Sequence, residues 1–361
     1  MAKENPFKRI FDLYTSDLGY QEIERLIKRD ASEVYEYFAH DIPKPDVTKN
    51  KFSRALIFLR SLFNAFLLKL SPARRLIYIF TIVIFIVGLV QAINSYVVLS
   101  FLIMNILLAF ELADKLTVKD DLNTARTIQS RLLPQDKIDL PGYQVATYYE
   151  SAKEVGGDYY DILDVKDDKH LLVVGDISGK GLAAALYMVR LQAILQFLAE
   201  SASNPKEILI KLNRMFSKKL SKGYFLTLLL ACIDKGGSIS IIRAGHTPVL
   251  HYIAAEDKFV EHTPKGIGIG LNDGKIFENS VEEINIKPET GDILFFYTDG
   301  ITELMDDYKR QFGDGYIRNI ISGSKDKDVE VIKERINAAV EEFRGRMTGQ
   351  DDLTYLVFKA D

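Results

Sequence analysis

The chain has 361 residues, a hydrophobic fraction of 47% and a formal net charge of −4. That leaves room for one large domain with extras or for two domains, with enough apolar residues for a sizeable core, and it argues against nucleic acid as a partner of the whole molecule. The lone cysteine, Cys232, excludes a disulfide framework and a cysteine-rich metal site; its apolar run, Leu228-Leu229-Leu230-Ala231-Cys232-Ile233, reads as packing around a buried thiol and is consistent with a reducing compartment.

Residues 1–43 read as a helical cytosolic segment, a cap or docking piece. Ile23, Leu26, Ile27, Val34, Tyr37 and Phe38 recur among charges at helical spacing until Pro43 and Pro45 break the pattern. Residues 44–75 carry eight Lys or Arg against one acid, Asp46, and the apolar residues from Phe52 to Leu70 step by three and four. This predicts a basic amphipathic juxtamembrane helix at a membrane surface, with a buried helix of a soluble domain as the alternative.

Residues 76–110 contain no Lys, Arg, Asp, Glu or Pro. No cleavable signal peptide is expected, because this first long charge-free run starts only after about seventy residues. Length and polarity predict two transmembrane helices, about 76–93 and 96–110, broken at Asn94-Ser95. A hairpin leaves both ends on one side, and the basic excess before Leu76 makes that side the cytoplasm. A single long tilted helix is the alternative and would put the C-terminal part outside; charge bias and the lone cysteine favour the hairpin. Residues 111–134 read as a charged linker helix ended by Pro134. Its stripe of Val118, Leu122, Ala125, Ile128 and Leu132 suits a homodimer contact or a seat on its own domain.

From 135 to 361 the pattern changes. Residues 143–149, 170–177, 224–233, 238–243, 248–253, 276–286, 292–297 and 353–358 are strand-like, while 181–200, 205–220 and 329–344 are helical. Hairpin-type strands with helices grouped between them predict an α+β domain, helices packed on antiparallel sheets.

Four acidic turns punctuate this half: Val155-Gly156-Gly157-Asp158-Tyr159-Tyr160-Asp161, Val174-Gly175-Asp176-Ile177-Ser178-Gly179-Lys180-Gly181, Tyr297-Thr298-Asp299-Gly300 and Gln350-Asp351-Asp352-Leu353-Thr354. Glycine allows a sharp turn and a close backbone approach, and aspartate supplies hard oxygen donors that suit Mg²⁺ or Mn²⁺ rather than zinc or copper. One Asp-Gly turn means little, since these are the ordinary turn residues. Four of them beside apolar strands read as one carboxylate cluster of Asp158, Asp176, Asp299 and Asp351. Four like charges at close range cannot all ionise without cations. A pair of divalent ions about 3.5–4 Å apart resolves this and acidifies a water for in-line attack on phosphorus. The glycine-rich pieces match neither a Walker A loop nor a dinucleotide fingerprint: no Ser or Thr follows Gly179-Lys180, and Gly266, Gly268 and Gly270 lack the final spacing.

Together with Ile128-Gln129-Ser130-Arg131-Leu132-Leu133-Pro134 and Ala244-Gly245-His246-Thr247-Pro248, these turns occur in one order. In that order they resemble the SpoIIE-like branch of the PPM superfamily of metal-dependent serine/threonine protein phosphatases, over about two thirds of the chain, residues 124–359. The resemblance implies a four-layer α/β/β/α sandwich with a two-metal site at one edge, holding two Mn²⁺ or Mg²⁺ ions. It implies Asp158 and Asp176 as the catalytic pair of ligands, completed by the Ile177 carbonyl, Asp299 and Asp351. Asp352, beside the last ligand, is a secondary candidate, and Asp161 is one that stands behind the ligands.

Two departures matter. Ser178 stands where many eukaryotic relatives carry a histidine proposed as general acid, and their upstream phosphate-binding arginine has no clear counterpart. Leaving-group protonation would then fall to metal-bound water. His246 is a replacement acid or, as for many turn histidines, a structural residue. The resemblance is to a bacterial branch; together with the hairpin and charge bias above, this predicts a multi-pass inner-membrane protein with its catalytic domain in the cytoplasm. Its substrate would be a phosphorylated regulatory protein of the anti-sigma antagonist type. The competing reading is a catalytically silent membrane scaffold that binds phosphoproteins. A nucleotide cyclase is disfavoured, since no nucleotide-holding loop is visible.

Overall fold

Residues 51–69 contain no proline or glycine, and in the computed structural model they form one helix, α1 (Lys51–Lys69). The structure describes residues 51–134, 138–201, 204–272, 274–345 and 350–361; the segment expected over 1–43 lies outside them, as do residues 44–50. The chain divides into two compact units, one ending at Leu116 and one spanning Thr117–Asp361.

In the first unit, Pro72 opens a second helix, α2 (Pro72–Val90), so the amphipathic stretch ends at Lys69 rather than near 75. Proline suits the first helical turn, where its missing N–H has no partner to lose. Arg75 turns back to cap α1: its guanidinium donates to the Leu67 carbonyl at 2.8 Å and to those of Leu68 and Leu70 at 3.2 Å. These are end-of-helix carbonyls that would otherwise lack partners. The break in the apolar region falls at 91–93, not at Asn94-Ser95, and Asn94 starts α3 (Asn94–Ser130). Ala92 takes the left-handed turn (φ 56) and Ile93 N–H donates to Gly88 O at 2.8 Å.

The α3 helix runs 37 residues without a break, so the second apolar run and the expected linker are one helix, about 55 Å long at 1.5 Å per residue. Charge begins at Glu111, but no proline or glycine stands between 94 and 130 to stop the backbone. Among the described residues three helices are long and apolar enough to cross a membrane: α2, α3 and Leu182–Glu200. The first two expose almost all of their apolar windows, whereas nearly half of the third is buried within the protein.

The second unit is α+β, with two five-stranded antiparallel sheets. In chain order come β1 (Tyr143–Glu150), β2 (Tyr159–Val165), β3 (Lys169–Ile177), α4 (Leu182–Ser201), α5 (Pro205–Phe216), β4 (Leu226–Ile233), β5 (Ile239–Ala244), β6 (Val249–Ile253) and β7 (Lys258–His262). Then follow α6 (Gly274–Ser280), β8 (Glu283–Ile286), β9 (Ile293–Tyr297), α7 (Asp299–Glu303), α8 (Gly313–Ser322), α9 (Val329–Arg344) and β10 (Leu353–Ala360). One sheet has the order β1-β10-β9-β6-β7, the other β2-β3-β4-β5-β8. Val145, Leu294, Phe296, Leu356 and Phe358 of the first sheet share a core with Leu172, Val174, Leu228 and Leu230 of the second. The helices cover the outer sides: α4 packs on β2 and β3, α5 on β4 and β5, and α9 on β1 and β10. With both faces covered, Leu171, Leu172, Val173 and Val174 are all fully buried, so β3 reads as an unbroken apolar run.

Local signals explain the helix starts. Asn204 accepts from Lys206 N–H at 2.8 Å and Pro205 follows it, opening α5. Asp328 caps α9 through Glu330 N–H at 2.9 Å, and Ile332, Ile336 and Val340 form its buried stripe under the first sheet. Cys232 is buried in β4 with its thiol pKa pushed up by burial, as packing predicts. Five elements of this unit depart from the sequence reading. Residues 274–280 form the short helix α6 around buried Phe277, leaving only 283–286 as strand. The strands β2 and β7, and the helices α7 and α8, were not expected.

Candidate active site

The register of the sheets brings the four acidic turns to one edge. Tyr159 pairs with Gly175, so Asp158, just before β2, comes beside Asp176, near the end of β3. Tyr355 pairs with Tyr297 and Glu150 with Leu353, so the end of β9, the start of β10 and the end of β1 meet as well. Gly300 makes this approach feasible: a Cβ there would lie 1.9 Å from the Asp352 carbonyl oxygen and 3.4 Å from Asp351 Cβ.

Asp158 is 2% exposed. Two threonine hydroxyls donate to its Oδ2, Thr298 at 2.7 Å and Thr354 at 2.6 Å. Thr298 is itself tied to the Thr354 peptide, donating from its N–H at 2.9 Å and accepting on its hydroxyl at 3.2 Å. Burial, then Asp176 and Asp352, holds the Asp158 pKa well above the carboxylate range despite these hydroxyls. The Asp176 carboxyl is pushed up to about 7, by burial first and then by Asp299, Asp351 and Asp352. Asp299, exposed at the start of α7, is raised by desolvation, then by Glu303 and Asp351, with Lys180 opposing. At the rim, Asp351 accepts from Asp352 N–H at 3.0 Å on Oδ1 and lies 2.8 Å from Lys180 Nζ on Oδ2.

The other candidates are engaged in contacts of their own. Asp352 is a backbone staple: Oδ2 accepts from Gly157 N–H at 2.6 Å and Oδ1 from Ala152 N–H at 2.8 Å. Asp161, within β2, is buried, accepting from Tyr159 Oη at 2.6 Å and Ile162 N–H at 2.8 Å. It lines a separate hollow of about 330 Å³ with Leu132, Pro134 and His170. Ser178 is a clasp to the start of β4: its Oγ accepts from Phe225 N–H at 2.8 Å and its own N–H donates to Phe225 O at 2.9 Å. His246 is 4% exposed, with Nδ1 2.9 Å from Thr227 Oγ1 and Nε2 lacking a partner. Burial, then the Arg243 charge, lowers its pKa to about 3, so the imidazole is neutral at physiological pH and lacks the acidic imidazolium proton that a general acid would give.

Four residues outside the candidate set shape the site. Gln129, at the end of α3, is buried and grips both backbone groups of Gly156 in the first acidic turn: Nε2 donates to Gly156 O at 2.7 Å and Oε1 accepts from Gly156 N–H at 3.0 Å. Thr298 and Thr354 orient Asp158, and Lys180 neutralises Asp351. All four lie inside the quoted motifs, which is the only sequence signal that could have found them. Tyr149 also presses on the turn. A Cβ on Gly156 would fall 2.6 Å from its hydroxyl, which is buried without a partner.

Among the described residues, no three His, Cys, Asp or Glu side chains stand close enough to hold a metal ion as placed. The donor chemistry nevertheless fits a hard divalent ion. Buried carboxylates raise one another's pKa, and every acceptor at the edge is an oxygen. Backbone oxygen is present too: a Cβ on Gly157 would meet Ile177 O at 3.1 Å and Asp176 Oδ1 at 3.4 Å, so a side chain there would crowd both oxygens.

A family model described as Stage II sporulation protein E matches residues 166–361, more than half of the chain. The chain belongs to the SpoIIE family. Among its relatives, the phosphoserine phosphatase RsbU of Bacillus subtilis (strain 168) is 28% identical over 192 residues, 52% of this chain and 54% of that protein. The phosphoserine phosphatase RsbP of the same organism is 22% identical over 250 residues, 67% and 58%. The chain spans about half the length of the curated relatives it matches. The solved SiaA-PP2C domain of Pseudomonas aeruginosa superposes with a TM-score of 0.60 at 20% identity, covering 69% of this chain and 99% of that one. This likeness shows that the SpoIIE-family unit here has the PP2C-like α+β fold.

Proposed function

We propose that the chain is a membrane-anchored, metal-dependent protein serine/threonine phosphatase. Its layering is then helix, sheet, sheet, helix, as in the sandwich expected above. One observation carries the reading: the Tyr159–Gly175 register sets the buried Asp158 beside Asp176, at the edge that Asp299 and Asp351 share, and burial with these neighbours pushes Asp176 up to about 7. A scaffold needs no such concentration of acids, and it is costly without cations.

Asp158, Asp176, the Ile177 carbonyl, Asp299 and Asp351 would hold two Mn²⁺ or Mg²⁺ ions. Bound there, such ions would supply Lewis acidity and an acidified water for attack on a phosphate monoester. The chain's own residues do the positioning. Thr298 and Thr354 fix Asp158, Asp352 and Gln129 fix the peptide ahead of it, and Ser178 fixes the turn after Asp176. Leaving-group protonation falls to water, because Ser178 and His246 are committed elsewhere.

The proposed substrate is phosphoserine or phosphothreonine on a regulatory protein of the anti-sigma antagonist type; the names of RsbU and RsbP, phosphoserine phosphatases, support the phosphoserine part. We assign α2 and the apolar start of α3 as two spans of the inner membrane, with the phosphatase unit in the cytoplasm. Val118 and Ile128 on α3 are 58% and 59% exposed, which supports a homodimer contact there. The test is phosphoserine-peptide hydrolysis by the full chain in detergent with Mn²⁺, wild type against Asp176→Asn. Turnover lost in the variant supports the phosphatase; equal, background-level turnover in both favours the silent scaffold.

A further inference from the structure

The second acidic turn holds a cation whose place in the chemistry is not explained by metal ligation. Lys180 lies between Gly179 (φ 94) and Gly181 (φ 78), and its Nζ sits 2.8 Å from Asp351 Oδ2 while also donating to the Gln350 carbonyl. We infer that Lys180 competes with a divalent ion for Asp351 and, once displaced, binds the phosphoryl group of the substrate. The inference rests on the phosphatase reading above.

Both ends of this contact are fixed. On the lysine side, the two hydrogen bonds between Ser178 and Phe225 hold the turn to β4. The Tyr224 ring lies 3.2 Å from where a Gly179 Cβ would be, and Ala185 N–H donates to Gly181 O at 3.1 Å as α4 begins. Left-handed glycines on either side leave that turn little freedom to re-form with other residues. The root of the Lys180 stem is therefore held, and motion is confined to its side-chain torsions. On the carboxylate side, the Gln350 side chain bonds Met305 N–H at 2.8 Å and Met305 O at 2.7 Å, tying the loop to the chain after α7. Asp351 Oδ1 faces the Asp352 amide, so Oδ2 is the oxygen that the ammonium holds.

Charge gives the contact its direction. Asp158, Asp176, Asp299, Asp351 and Asp352 all lie at this edge, and a phosphate monoester arriving there is itself an anion. Among the described residues, Lys180 makes the only ion pair with any of these five. A divalent ion held by Asp351 would compete with the ammonium for the same carboxylate and repel it, which would favour release of Lys180 from this contact. The Lys180 side chain is 44% exposed, so on leaving it points into solvent at the mouth of the site, where a phosphoryl oxygen would arrive. Lysine serves there as a mobile point charge, with three donors and no fixed fork.

The two halves of this role predict opposite effects of one substitution. A half-exposed ion pair is worth at most about fivefold in an equilibrium, so Lys180→Met should tighten Mn²⁺ binding by up to about fivefold. The same change removes a charged hydrogen bond to phosphate and should weaken inorganic phosphate binding by about tenfold or more. Lys180→Arg keeps the charge and should retain most of the phosphate affinity. The experiment is calorimetric titration of the full chain in detergent, first with Mn²⁺ alone and then with inorganic phosphate at saturating Mn²⁺, for wild type and both variants. A metal-free thermal melt reports their folding. Tighter Mn²⁺ with weaker phosphate in Lys180→Met, and phosphate binding kept in Lys180→Arg, supports the role. Unchanged or weaker Mn²⁺ binding, or unchanged phosphate binding, in a folded Lys180→Met overturns it while leaving the phosphatase reading intact. Failure of the wild type to bind Mn²⁺ overturns both.

Discussion

The grip of Gln129 on Gly156 makes a quantitative prediction about how α3 supports the site. Replacing Gln129 with Met keeps length and burial but removes both hydrogen-bonding ends. Gly156 N–H and C=O, now served at 3.0 and 2.7 Å, would be left without partners in a buried setting. An unsatisfied buried group costs about 1–3 kcal/mol, so the pair should cost about 2–4 kcal/mol after partial relaxation. For a unit of this size that is roughly a 5–15 °C fall in melting temperature. Gly156 also sits two residues from Asp158, with Gly157 N–H held by Asp352. Loosening the turn should therefore weaken Mn²⁺ binding as well as stability. The assay is a thermal melt of the metal-free full chain with a Mn²⁺ titration of the same preparation, comparing wild type, Gln129→Met and Gln129→Glu. The glutamate can still accept from Gly156 N–H but cannot donate to its carbonyl while ionised, so it should not rescue the loss. A Gln129→Met protein with wild-type melting and wild-type Mn²⁺ affinity would refute the reasoning, because it would mean that the clamp bears no load.

Two further outcomes follow from the same geometry. Gly300→Ala drives a Cβ to 1.9 Å from the Asp352 carbonyl, a backbone clash that no rotamer relieves, so the 299–303 and 350–354 segments must separate. Loss of Mn²⁺ binding together with about 3 kcal/mol or more of stability is expected from calorimetry and urea unfolding, and a neutral result would show that the two segments are not packed this way. His246 supplies an acid-sensitive term. Its folded pKa is near 3 against 6.5, so the unfolded chain takes the proton first; the contribution is complete above about pH 6.5 and drains away as pH falls toward about 3. The loss between pH 6.5 and 5.5 is about 1 kcal/mol, so urea unfolding at pH 7 and 5.5 should differ by about that much less in His246→Gln than in wild type; equal pH dependence would count against a buried neutral imidazole.

What the sequence showed and what it hid divide along a physical line. Aspartate beside glycine is a local signal, and so is a run such as Leu171 to Val174, which is why the acidic turns and most strands could be placed. The strand β2 could not, because Asp161 and Asp164 break its apolar pattern; Asp161 is tolerated inside only because the Tyr159 hydroxyl, two residues back, reaches its carboxylate. The linker boundary at Glu111 was misjudged for the opposite reason: charge changes there, but nothing that governs helical hydrogen bonding does.

The supports of the site were hidden because their partners lie far along the chain. Gln129 is 27 residues from Gly156, and Thr298 and Thr354 are 140 and 196 residues from the carboxylate they share. A threonine next to an acidic turn has no distinctive signature. Its role is created by the β9–β10 register, in which Tyr297 faces Tyr355 and Thr298 N–H reaches Thr354 O, so that both hydroxyls converge on Asp158 Oδ2. A one-residue slip of that pairing would turn each threonine to the opposite face of its strand and leave Asp158 buried with neither hydroxyl. The chemistry of the edge is thus written in residue type, but the orientation of its most buried carboxylate is written in strand pairing, which only the folded sheet supplies.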